Sequence, residues 1–261
     1  MRRIGLLLAL VAMLAACGAG SVNPSVPAVS LSEAESWQQT IDDLKRLQAD
    51  QELPDYLWET GIRDGTEFDV GEYFTILDHL SVEAGWVLDY GYKAGSDRGY
   101  PILYARPAAD LPYATYEEYQ LAVAADPGQE GITQYLHRIV ADDSPEGFFQ
   151  YVVLDIMGGQ FYLHWHAGEN DSQIITTRSR LQEIVDGVAS EMGSAAASQA
   201  RDADPTPRIS IEDDVAVVQV LVFTRWGGLF HYTYTISREF PHHILSLDVG
   251  VVAECDCAIL F

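Results

Sequence analysis

Phe148-Phe-Gln-Tyr-Val-Val-Leu-Asp-Ile-Met-Gly-Gly-Gln-Phe-Tyr-Leu-His-Trp-His166 is the stretch on which the reading of the fold turns. Two runs rich in aromatic and β-branched residues flank Gly158-Gly159, a dipeptide that permits the positive backbone angles of a two-residue β-turn. The pattern predicts an antiparallel hairpin over 148–166. Opposed residues share a face and faces alternate along each strand, so the turn fixes the register. Leu154, Ile156, Phe161, Leu163 and Trp165 then form a core face, while Tyr151, Asp155, Tyr162, His164 and His166 lie on the other.

The same signature recurs on both sides. Aromatic runs at 85–92 and 100–106 are separated by Gly95-Ser-Asp-Arg-Gly99, and a hairpin over 215–238 turns at Gly227-Gly228 before a strand near 244–252. Helical spacing over 33–50 places Trp37, Ile41, Leu44 and Leu47 on one side, with Ser32 and Glu35 in a capping-box arrangement. Further helices are expected near 69–80, 114–125, 130–140 and 177–192, the last with Leu181, Ile184, Val185 and Val188 on one side. Residues 193–207, rich in Ala, Ser, Asp and Pro, read as a long polar loop or linker. The expected class is α+β: a mainly antiparallel sheet built from hairpins at about 85–106, 148–166 and 215–252, with interspersed amphipathic helices.

The N-terminus has a separate logic. Met1-Arg-Arg3 precedes an apolar run from Ile4 to Met13, and Leu14-Ala-Ala-Cys17 follows. A basic start, a short apolar stretch and small residues before a cut site describe a signal peptide. The run falls short of the roughly 20 residues that cross a bilayer as a helix. The ending resembles the lipobox of bacterial lipoproteins, a likeness confined to residues 1–18. The resemblance implies that Cys17 is acylated, that the preceding peptide is removed, and that the protein is held by lipid on the extracytoplasmic side of the cell envelope, at the outer membrane where the host has one. The small, proline-bearing segment that follows reads as a spacer. The expected organisation is a lipoprotein signal peptide at 1–16, a flexible tether at 17–30 and one α+β domain at 31–261.

Composition narrows the partners. Thirty-nine Asp and Glu against 15 Lys and Arg give a formal net charge of −24. So negative a surface repels phosphate backbones, which argues against nucleic-acid binding and leaves the N-terminal lipid as the membrane attachment. Apolar residues make up 48% of the chain, enough for a packed core. Cys255 and Cys257 read as a disulfide or as buried free thiols ahead of a two-thiolate soft-metal site. The chain lacks a Gly-Xaa-Ser-Xaa-Gly elbow, a phosphate-cradling Gly-Lys-Ser/Thr loop, a His-Glu-Xaa-Xaa-His helix and a dinucleotide fingerprint.

One constellation carries chemistry. In the 148–166 register His164 and His166 lie two apart on one strand face, with Asp155 diagonally opposite at about 7–8 Å between Cβ atoms. Imidazoles so placed, oriented by a carboxylate, suit a divalent metal or an acid–base pair, and the Gly168-Glu-Asn-Asp171 loop can lend a further carboxylate. The competing reading is a half-exposed sheet face on which His and Tyr pack their rings and wet their tips. Asp78-His79 and His242-His243 are weaker candidates, and the tyrosines of 90–119 suit either a binding surface or a core. The expected function is a non-catalytic binding or scaffold domain of the cell envelope, without a predicted cofactor and with an unspecified protein or small-molecule partner. The alternative is a metal-dependent hydrolase using His164, His166 and Asp155.

Overall fold

A computed structural model describes residues 29–125, 134–169, 171–255 and 257. The signal peptide, Cys17 and nearly all of the tether lie outside the described residues, as do residues 130–133 of one expected helix. The class is α+β with antiparallel sheets. Among the described residues no helix is long and apolar enough to cross a membrane.

The 148–166 segment is where sequence and structure part. Residues Pro145–Met157 form a helix, not the first arm of a hairpin. Ser144 caps it by accepting from the Gly147 amide at 3.0 Å, and Pro145 occupies its first turn, where no N–H is needed. Phe148 to Leu154 are all buried, so the helix is apolar on every side and shows no 3.6-residue period. Full burial is worth roughly 1.5–3 kcal/mol per large apolar side chain, and it outweighs a β-propensity scale that spans only ~1 kcal/mol. The one polar member, Gln150, donates to Asp78 and accepts from the His79 amide.

Gly158 has an ordinary helical φ of −59°. A Cβ there would lie 2.5 Å from the Leu154 carbonyl and 3.0 Å from Leu103, so close packing demands the glycine, not turn geometry. The carbonyls at this helix end are taken from outside. Gln48 donates to Met157 at 2.7 Å, and the Tyr73 hydroxyl donates to Gly158 at 2.8 Å.

The remaining elements are α1 (Leu31–Ala49), α2 (Asp55–Thr60), β1 (Leu80–Val82), β2 (Trp86–Lys93), β3 (Arg98–Pro107), α3 (Tyr116–Ala125) and β4 (Ile139–Ala141) before the central helix, here α4. After it come β5 (His164–Trp165), β6 (Gln173–Ile175), α5 (Arg178–Met192), α6 (Ser194–Asp202), β7 (Arg208–Ile211), β8 (Val215–Thr224), β9 (Gly228–Ser237) and β10 (Ile244–Glu254). Hairpins β2–β3 and β8–β9–β10 stand where the turn signals put them. Three details differ. The α1 capping box is Ser30 with Glu33. The expected helices near 69–80 and 130–140 reduce to 3-10 turns, Val70–Thr75 and Tyr135–Arg138, that lead into β1 and β4. Residues 194–202 are helical, because Ala197 and Ala200 are small enough to pack against the sheet.

The large sheet runs β10-β9-β8, and the far edge of β8 is shared. β7 pairs with Ala216–Gln219 and β6 with Leu221–Phe223. One face, with Val218, Val220, Val222, Tyr234 and Ile236, packs on α4, whose other side meets α1 through Trp37 stacked 4.5 Å from Phe149. The opposite face, with Leu221, Phe223 and Leu229, packs on α5 and α6 and includes the disulfide-bonded Cys255 and Cys257.

The smaller β2–β3 hairpin holds a buried charge network. Asp89 accepts from Arg106 at 2.7 Å and from Arg63, whose guanidinium also lies 4.0 Å over the Tyr90 ring. Removing the carboxylate strands the half-buried Arg106 and leaves Arg63 with only the longer, 3.7 Å ion pair to Glu67. Asp89→Ala is expected to cost about 3–5 kcal/mol, measured by urea unfolding, whereas Arg46→Ala in the exposed Asp43 pair is expected to cost under about 1 kcal/mol.

Candidate functional site

The helical α4 undoes the register that gathered Asp155, His164 and His166. Asp155 sits on α4 and accepts from the Tyr234 hydroxyl of β9 at 2.9 Å. It lines a cavity of about 310 Å³ with Tyr135, His137, Tyr151 and Ile244. Burial raises its carboxyl above the ordinary aspartate range, against a smaller opposing pull from the Tyr234 phenol. His166 lines a different cavity. His164 stacks on Trp58 with ring centres 3.5 Å apart. Asp171, from the loop expected to lend a carboxylate, instead ties the β8–β9 turn by accepting from Thr224 at 2.7 Å and from the Arg225 amide at 3.0 Å. Among the described residues no group of three or more His, Cys, Asp or Glu is placed to hold a metal ion.

The other histidines divide by burial. His79 bonds Asp142 at 2.7 Å beside the α4 cap. His242 is a core residue that accepts from the Ala141 amide, and burial lowers its pKa. His243 and His137 approach ring nitrogen to ring nitrogen at 3.0 Å, near the Asp155 cavity.

The cavity that holds His166 is the larger, at about 410 Å³, and its walls include Arg98, Tyr100, Gly159 and Trp226. Its construction starts with β5, which pairs with β3 as Arg98↔Trp165 and Gly99↔His164. Gly99 makes that approach feasible, because a Cβ there would overlap the Tyr92 hydroxyl and the Trp58 indole. The chain then bends sharply: Tyr162 and Trp165 both hold left-handed backbone, with φ of 50° and 48°. Such angles cost about 1–2 kcal/mol per residue outside glycine, and strain of this kind concentrates at functional sites. They leave Trp165 69% exposed and stacked on His166.

Arg46, Arg138, Arg180, Arg201, Arg208 and Arg238 each face a carboxylate. Arg98, like Arg178 and Arg225, is exposed and has no ion pair among the described residues, but it alone of the three lines this cavity. Lys93, opposite Tyr100 in the hairpin, lies over aromatic rings, 5.7 Å from Tyr100 and 5.4 Å from Tyr116. The site is therefore a cationic, aromatic hollow on an acidic molecule. The sequence points to His166 as a metal ligand and to Tyr100 as one of many tyrosines, whereas Arg98 and Trp226 carry no signal, because they come from two hairpins whose relative placement depends on α4.

Asp155 gives a pH prediction. A carboxyl whose folded-state pKa is raised binds more protons folded than unfolded, so it contributes stability in acid that is lost as pH rises through the folded value. Asp155→Asn is thus expected to melt at or above the parent temperature at pH 7, with that advantage shrinking as the pH is lowered, in calorimetric scans from pH 7 to pH 4.

No protein-family model matches this chain, and neither a curated protein nor a solved structure proves similar to it. The functional reading rests on the two cavities.

Proposed function

We propose that this chain is a lipid-anchored binding domain of the bacterial cell envelope, whose Arg98–Trp226 cavity holds a small ligand with an acidic group and a flat apolar face, of which a carboxylated sugar is the simplest example. The observation that carries the reading is Arg98. A guanidinium without an ion-pair partner among the described residues lines a cavity together with Tyr100 and Trp226, in a chain where acids outnumber bases 39 to 15. Guanidinium forks recognise carboxylates, and indole and phenol rings offer rigid apolar walls at low entropic cost. Strained backbone at Trp165 supports a site arranged for contact.

The lipid half of the proposal rests on Leu14-Ala-Ala-Cys17. In a bacterial host fed labelled palmitate, the protein is expected to take up label and partition with membranes. Cys17→Ser is expected to lose the label, and labelling of that variant at the parental level would refute the anchor.

For the ligand, titration of the full chain with galacturonate is expected to quench tryptophan fluorescence saturably, while galactose binds at least tenfold more weakly. Arg98→Gln and Trp226→Ala should each weaken galacturonate binding about tenfold, the loss of one good charged or stacked contact. Equal binding of the neutral sugar, or an Arg98→Gln protein indistinguishable from the parent, would reject the cavity as the site.

A further inference from the structure

A second cavity has the opposite chemistry. Asp155 is half-buried on α4, yet among the described residues its one hydrogen-bond donor is the Tyr234 hydroxyl, and no charged side chain is found to act on it. Asp89, the more deeply buried aspartate, has two arginines. The phenols around Asp155 are already committed. The Tyr135 hydroxyl donates to the Leu154 carbonyl at 3.3 Å, and the Tyr151 hydroxyl lies 3.2 Å from the carbonyls of both Leu136 and His242. Neither can serve the carboxylate. A carboxylate held out of water without a counter-charge is costly, and a cation supplied from outside removes the cost.

We propose that the cavity beside Asp155 binds the ammonium head of a small organic amine, with the Asp155 carboxylate as counter-charge and Tyr135, Tyr151, Leu136 and Ile244 as its wall. Three observations converge. The cavity, about 310 Å³, takes a short alkylammonium and not a folded chain. Its lining joins aromatic rings to one carboxylate, the combination that holds ammonium groups. The molecule's net charge of −24 raises the local concentration of cations. A bare metal ion fits less well, because no described group of three or more His, Cys, Asp or Glu is placed to hold one. The titratable groups near Asp155 are Tyr151 on α4, Tyr135 and His137 on the 3-10 turn, Tyr234 on β9 and His243 before β10. The amine must be protonated and the Asp155 carboxyl ionised for the pair to form, so binding weakens as the carboxyl is protonated in acid.

The test uses the full chain in 0.2 M KCl, where diffuse attraction to the acidic surface is screened. n-Butylammonium is expected to bind saturably at one site with a Kd on the order of 1 mM, and n-butanol, its neutral isostere, at least tenfold more weakly. Asp155→Asn should abolish the distinction between the two. In the parent protein, carbon-13 NMR of the Asp155 carboxyl should show its titration midpoint move to lower pH on saturation with the amine and stay fixed with the alcohol, a readout independent of how any variant folds. An unmoved midpoint, or equal affinity for amine and alcohol, would overturn the proposal. The Arg98 cavity is untouched by either result.

Discussion

The fold depends on enclosing one helix completely. α4 has no polar face to turn to solvent, so every neighbour is placed by the need to cover it: the large sheet on one side, α1 and the Tyr73 turn on the other. The polar groups of the helix are then met by those neighbours. Gln48 and Tyr73 take its last carbonyls, Ser144 takes its first amides, and the Asp78-His79 segment satisfies Gln150. Covering an apolar surface and satisfying the backbone beneath it are here a single requirement, which binds elements from the first helix to the last hairpin into one core.

That enclosure also sorts the charges. Asp89 lies under a hairpin, where two arginines reach it, and it serves the fold. Asp155 is carried by the enclosed helix to the edge of the core, where among the described residues only a phenol reaches it. Arg98 lies on the small hairpin and lines a cavity with Tyr100 and Trp226, without an ion pair among the described residues. A fold selected for stability alone would pair such groups or replace them. Their incomplete compensation is the observation from which both ligand proposals start.

The hairpins at 85–106 and 215–252 were legible because each alternates around a glycine-bearing turn and has sheet on both flanks. Helices α1 and α5 were legible because each has one apolar side, as Trp37, Ile41 and Leu44 or Leu181, Val185 and Val188 show. α4 was misread for the same physical reason that makes it central. An element buried all round carries no period, and Val152-Val153 with Gly158-Gly159 mimics a strand and its turn. The distinguishing signal was Ser144-Pro145-Glu146, a helix start, lying just outside the apolar run. Because the site residues were inferred from hairpin register, that one error dispersed them. Asp155 and His166 each line a cavity, but not the same one.

The outer strand of the large sheet has a different bearing. β10 pairs with β9 alone among the described residues and leaves Leu245, Leu247, Val249 and Val251 between 42% and 59% exposed. Long apolar edges invite zippering with a second copy. Mutual repulsion between molecules carrying −24 each stands against that, and such repulsion fades as ions shorten its range from about 30 Å at 0.01 M to about 10 Å at 0.1 M. Colloidal dispersal of this protein is thus governed by the salinity of its surroundings, with the acidic surface acting as a guard on a sticky margin.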